Sequence, residues 1–213
     1  MQAFLRVIEN PKLRLLFRYQ AELGLRIGEA VKVNVKDINT ETRELIIRTE
    51  KAQTLDCLII PLPLFRDTLE FIKANSKQIE QYEGYLFFRE AKFSTRKGDC
   101  WLEPNYVRNK FREYSEQAGL ANDVYAVSEE RQQGRPVRRL HRLTSHSLRH
   151  FAITRFARSS NGNLILTSKF ARHSSFSSTS TYVNVDRKEV YSIIDNIAVS
   201  EVELLKRKLS GTR

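Results

Sequence analysis

The chain has 213 residues, is 41% hydrophobic and is strongly basic, with a net charge of +11 and a pI near 9.8. That hydrophobic content supports a packed core and excludes a disordered chain; no apolar run is long enough to cross a bilayer, and Met1 to Pro11 lacks a signal-peptide pattern. Cys57 and Cys100 form no CxxC pair and have no second thiol cluster, which argues against a structural zinc site and for a reduced, intracellular protein.

Asn10-Pro11 offers an N-cap followed by proline at the first helical position, and Gly24 offers a left-handed stop, so Pro11 to Leu23 is predicted as a helix. Ile27 to Val33 carries Ile27, Ala30 and Val31 at helical spacing and is predicted as a second, short helix. Arg26 then sits at a helix start, where backbone amides and a guanidinium can converge on an anion; the alternative is a surface arginine capping the preceding helix. Leu45 to Arg48 and Leu55 to Ile60 are apolar runs that predict an antiparallel hairpin, with Lys51 near its tip. A lysine there is either a solvated charge or a residue aimed at a ligand.

Pro61 and Pro63 end the hairpin, and Leu64 to Ala74 is predicted as a core helix through Leu64, Phe65, Leu69, Phe71 and Ile72. Gly84 to Phe88 is a short buried segment with the composition of a third strand, and Lys92 to Asp99 reads as a loop. Pro104 to Ala118 is predicted as a helix closed by Gly119. Ser145 can cap a helix from His146 to Ser159 whose Leu148, Ala152, Ile153 and Phe156 face the core, and on which His146 and Arg149, three apart, share a face. Asn161-Gly162-Asn163 breaks that helix, and Leu164 to Ala171 forms another. Ser174 to Ser180 is a small-residue turn before Tyr182, and Asp186 and Ser200 can cap further helices.

The positive charge is unevenly spread. Residues 1–130 hold 20 basic and 20 acidic side chains, residues 131–185 hold ten and none, and residues 186–213 hold six and five. A quarter of the chain thus carries nearly all the excess, and within it lie H-S-L-R-H (His146 to His150), A-R-H-S-S (Ala171 to Ser175) and Thr181-Tyr182. Imidazoles, guanidiniums and a phenol without a competing carboxylate suit chemistry on a phosphate ester, because the substrate is itself the anion. The run Arg131, Arg135, Arg138, Arg139 and Arg142 reads as phosphate contacts or as a solvated loop.

These pieces carry a resemblance. G-L-R-I-G-E (Gly24 to Glu29), a hairpin lysine, H-S-L-R-H, R-H-S-S and a tyrosine nine residues after His173 resemble, in order and spacing, the catalytic domain of the tyrosine recombinase and phage integrase family. The match runs from about Leu15 to Val185. It implies an α+β, mainly α-helical DNA breaking-rejoining fold with a small antiparallel β-sheet at one edge. It implies Arg26, Lys51, His146, Arg149, His173 and Tyr182 as catalytic residues, with Glu29 at the acidic position after the first arginine.

Its activity would be site-specific DNA recombination through a 3′-phosphotyrosine, without metal or cofactor, on double-stranded DNA in a DNA-assembled homo-oligomer of two to four copies. Competing expectations are a type IB topoisomerase and an inactive DNA-binding module. Two departures stand out: the glycine usually preceding the second histidine is Arg172, and the usually glycine-rich hairpin tip is T-E-K-A-Q-T. Tyr191 is the local competitor for the nucleophile.

Residues 1–185 are expected to form the catalytic domain, with DNA contacts from Arg135, Arg138, Arg139 and Arg142. The family's N-terminal DNA-clamping domain is not expected in the short stretch before Arg26. Asp186 to Arg213 forms an apolar helical tail that either docks on a neighbouring protomer or folds onto its own domain. The compartment implied is the cytoplasm of a prokaryote or of a virus host cell.

Overall fold

The computed structural model describes residues 1–49, 55–89, 100–120, 124–127, 139–141 and 143–172, with the backbone alone for 124–127 and 139–141. It divides into two compact units, residues 1–153 and 154–213. Among the described residues the protein is mainly helical, with two two-stranded antiparallel sheets, and no helix is long and apolar enough to cross a membrane.

The first unit opens with α1 (Gln2–Arg6) and α2 (Pro11–Leu23). Helix α2 has the predicted ends: the Asn10 side chain accepts from Leu13 N, Pro11 is at the first position, and Gly24 closes it in the left-handed region (φ 63°). Phe17 of α2 meets Phe4 of α1 edge-on at 5.3 Å and Phe111 of α6 (Pro104–Gln117) at 5.9 Å, building one side of the core. On the other side Tyr19 donates to or accepts from Thr68 at 3.0 Å, in α4 (Leu62–Ala74), and packs edge-on against Phe87. A buried tyrosine needs such a partner for its hydroxyl, and this one ties α2 to α4.

Helix α3 (Ile27–Val31) ends two residues before the predicted limit. The cause is non-local: the Val33 carbonyl accepts from Leu86 N at 3.0 Å and Asn34 bridges Tyr85, which draws the chain into an extended path. The same pairing shows why Gly84 to Phe88 is not a third strand. Tyr85 bridges Asn34 while Phe88 bridges Trp101, so successive residues pair with different partners and no ladder extends. Gly84 is required there, since it has φ +84° and a Cβ would lie 2.7 Å from Asn34 Oδ1.

The predicted hairpin is present as β1 (Glu44–Arg48) and β2 (Leu55–Ile59), in register Leu45 to Leu58 and Ile47 to Asp56. Leu45, Ile47 and Leu58 are buried on its inner face. Helix α4 starts earlier than expected, because Pro63 fits the first turn, where an absent N–H costs nothing. Leu64, Phe65 and Phe71 are buried, whereas Leu69 is 37% exposed. After α5 (Ser76–Gln81) and α6, strand β3 (Val124–Val127) pairs with β4 (Arg139–His141), so the basic segment contributes a ribbon strand.

Helix α7 (Ser145–Ser159) has Ser145 as its first residue rather than its cap. In the second unit Phe156 stacks on Phe170 of α8 (Leu164–Ala171) at 4.3 Å. The break between the helices is as predicted: Asn161 and Gly162 take φ 50° and 72°, and the Asn163 side chain caps α8 through Leu166 N at 3.0 Å. Arg172 ends α8 in the left-handed region (φ 52°, ψ 46°), with its N–H on Lys169 O. An arginine here therefore holds the backbone geometry that a glycine adopts freely.

Candidate active site

The left-handed turn at Gly24 delivers Arg26 to the start of α3, where it is the N-cap residue. Its backbone N–H donates to Glu29 Oε2 at 2.8 Å and its Nη1 to Glu29 Oε1 at 2.8 Å. Glu29 is buried, and a buried carboxylate is tolerable because it is paired and hydrogen-bonded. The Arg26 amide is thus engaged within the chain and does not face an external anion. The Arg26 side chain retains 17% exposure, so Glu29 fixes the guanidinium while leaving an edge accessible.

Arg149 reaches the same turn from α7. Its side chain is 2% exposed and Nη1 donates to the Gly24 carbonyl, the acceptor left at the end of α2. A guanidinium so buried requires acceptors, and the close of α2 supplies one two residues before Arg26. His146, one helical turn before Arg149, is solvent-accessible in the first turn of α7.

Desolvation, then the nearby His150, Arg149 and Arg26, push the His146 imidazole down from its ordinary 6.5 to about 4. It is therefore neutral at pH 7, with one donor and one acceptor nitrogen. The positive end of α7 acts in the same direction. His150 is shifted down as well, by burial and then by Arg149.

The structure thus brings together three of the residues singled out from sequence: Arg26, His146 and Arg149. Lys51, His173, Tyr182, Arg135, Arg138 and Arg142 lie outside the described residues, as does the tail from Asp186; Arg139 begins β4, where the backbone alone is described. His150 was not singled out, although it ends the H-S-L-R-H motif four residues after His146, a spacing that places both rings on one helix face. The rings lie 4.6 Å apart and perpendicular. Among the described residues no group of three or more His, Cys, Asp or Glu side chains could hold a metal ion.

Solved recombinase structures share this fold. The crystal structure of XerA recombinase superposes with a TM-score of 0.63 at 15% identity, over 92% of this chain and 60% of that one. The pre-cleavage complex of XerH site-specific recombinase with its difH substrate gives 0.61 at 18%, over 91% and 51%. The Tn1549 transposon integrase in complex with a circular intermediate DNA gives 0.64 at 17%, over 92% and 63%.

The model of the phage integrase family matches residues 1–189, and the chain belongs to that family. A curated relative, tyrosine recombinase XerA of Pyrococcus furiosus, is 25% identical over 99% of this chain and 62% of its own length. The chain thus spans about three-fifths of the length of the curated relative.

Proposed function

We propose that the chain is the catalytic part of a site-specific DNA recombinase, or integrase, that cuts and rejoins duplex DNA through a 3′-phosphotyrosine. The observation that carries this reading is the meeting of Arg26 and Arg149 at the Gly24 turn, beside a neutral His146. Two planar, permanently charged forks can hold the non-bridging oxygens of a phosphodiester and stabilise the charge of its pentacovalent transition state.

In the cleavage step, Tyr182 Oη attacks phosphorus as its proton passes to a base, for which His146 and His173 are the candidates. The bond to the 5′-oxygen breaks, and Lys51 protonates that oxygen. One phosphoester replaces another, so a 5′-hydroxyl can reverse the step without an external energy source. A phosphate between the arginines also offsets their field on His146, so DNA binding raises the proton affinity of that ring and readies it to accept the phenolic proton.

Duplex DNA is the substrate, and exchange between two duplexes calls for several copies assembled on it. Residues 1–185 carry the catalytic set in this reading. The tail from Asp186, with Val190, Ile193, Ile194 and Ile197, docks on a neighbouring copy. DNA as substrate places the work inside a cell, prokaryotic or virus-infected.

Incubation with nicked suicide duplexes drawn from the DNA flanking its gene tests the reading: a covalent protein–DNA adduct is expected. Relaxation of a supercoiled plasmid without strand exchange would point to a topoisomerase instead, and binding without an adduct to a DNA-binding module.

Arg135, Arg138, Arg139 and Arg142 are assigned to DNA-backbone contacts. Neutralising Arg138, Arg139 and Arg142 together should weaken binding to all duplexes alike. The log-log salt dependence should flatten by about two to three units, near one per phosphate contact. Binding titrations across a salt series check this, and an unchanged slope returns the run to a solvated loop.

A further inference from the structure

We propose that His150 is a positioning residue for His146, holding that imidazole in one orientation through an edge-on ring contact. The inference rests on the reading of His146 as a site residue. Both rings stand on α7 four residues apart, with centroids at 4.6 Å and an interplanar angle of 90°. Both side chains are solvent-accessible, and a lone exposed imidazole would sample several rotamers. An edge-to-face neighbour at this distance restricts that freedom, since the positive edge of one ring meets the negative face of the other. The ring contact places the work of His150 on the His146 ring.

The contact also bears on the proton. Among the described residues, the charged or titratable groups acting on His146 are His150 and Arg149 of α7 and Arg26 at the start of α3, the last paired with Glu29. Two imidazoles this close resist double protonation, and the His150 ring adds to the desolvation of its neighbour. His146 therefore meets the phosphate as a neutral ring in a fixed pose, able to accept a proton. The depressed value means that the native protein disfavours the imidazolium: at pH values between about 4 and 6.5, an unperturbed histidine would bind a proton that His146 does not.

The test compares His150→Ala with His150→Phe in the full chain, by imidazole NMR titration of the free protein and by adduct formation on the suicide duplex across pH. For His150→Ala the His146 midpoint should rise from about 4 toward 6.5 and the acid limb of the cleavage profile should move up with it. Cleavage at pH 7 should slow on the order of tenfold at unchanged DNA affinity. His150→Phe keeps the ring contact and should recover most of the rate, with a midpoint closer to wild type. An unchanged midpoint and rate in His150→Ala would overturn the proposal, as would equal loss in both variants, which would give His150 chemistry of its own. The titration needs no DNA, so absence of an adduct from the wild-type chain would count against the recombinase reading alone.

Discussion

Tyr182→Phe should abolish the covalent protein–DNA adduct while leaving DNA affinity nearly unchanged. The substitution removes one oxygen and no charge, so the phosphate contacts that dominate affinity persist. Without the phenol, nothing in the Tyr182 side chain can form a bond to phosphorus. Denaturing gel electrophoresis after incubation with the suicide duplex reads the adduct, and a filter-binding titration reads the affinity. An adduct that persists and maps by peptide analysis to Tyr191 would transfer the nucleophile to that residue and undo the nine-residue spacing from His173.

The second large effect is expected at Arg149. Arg149→Ala should slow cleavage a hundredfold or more, on the order seen when a preorganised donor to a developing anion is lost. It should also destabilise the protein, because the Gly24 carbonyl loses a buried donor, an effect of about 1–3 kcal/mol. The two losses separate experimentally: single-turnover cleavage at saturating protein, at a temperature where circular dichroism shows the variant folded, reports chemistry alone. Arg149→Lys keeps the charge but not the fork, and it should rescue stability more than rate. Wild-type cleavage by a folded Arg149→Ala protein would leave the residue a structural role only.

Much of the fold was legible because its signals are local. Asn10-Pro11 and Gly24 bound α2, Asn161-Gly162-Asn163 separates α7 from α8, and the Ile- and Leu-rich run Leu45–Arg48 marks a strand, each through the conformational preference of the residues on the spot. The departures have non-local causes. Helix α3 stops at Val31 because Val33 and Asn34 pair with residues some fifty positions later, and Gly84 to Phe88 splits its pairing between Asn34 and Trp101.

The candidate site divides in the same way. Spacing put His146 and Arg149 on one helix face, but neither the burial of Arg149 on the Gly24 carbonyl nor the engagement of Arg26 by Glu29 can be read from periodicity. At Arg172 the sequence departs from the glycine of the family pattern while the backbone keeps a left-handed turn, at a cost of roughly 1–2 kcal/mol for a residue with a Cβ.

The bond from Arg149 to Gly24 also times the birth of the site. Its partners are 125 residues apart in sequence, and closing so long a loop is among the slower events of folding. During synthesis Arg26 and its Glu29 clamp can form on the ribosome well before α7 emerges, several seconds later at roughly 5–20 residues per second. Until then the chain holds one arginine of the pair and no imidazole beside it. A half-made or proteolysed chain that lacks α7 is therefore without the paired arginines and the imidazole on which the proposed chemistry depends. In the proposed reading the arginine pair is completed only with α7 and the nucleophile Tyr182 leaves the ribosome later still, so a fragment that ends before α7 is left without the means to cut DNA.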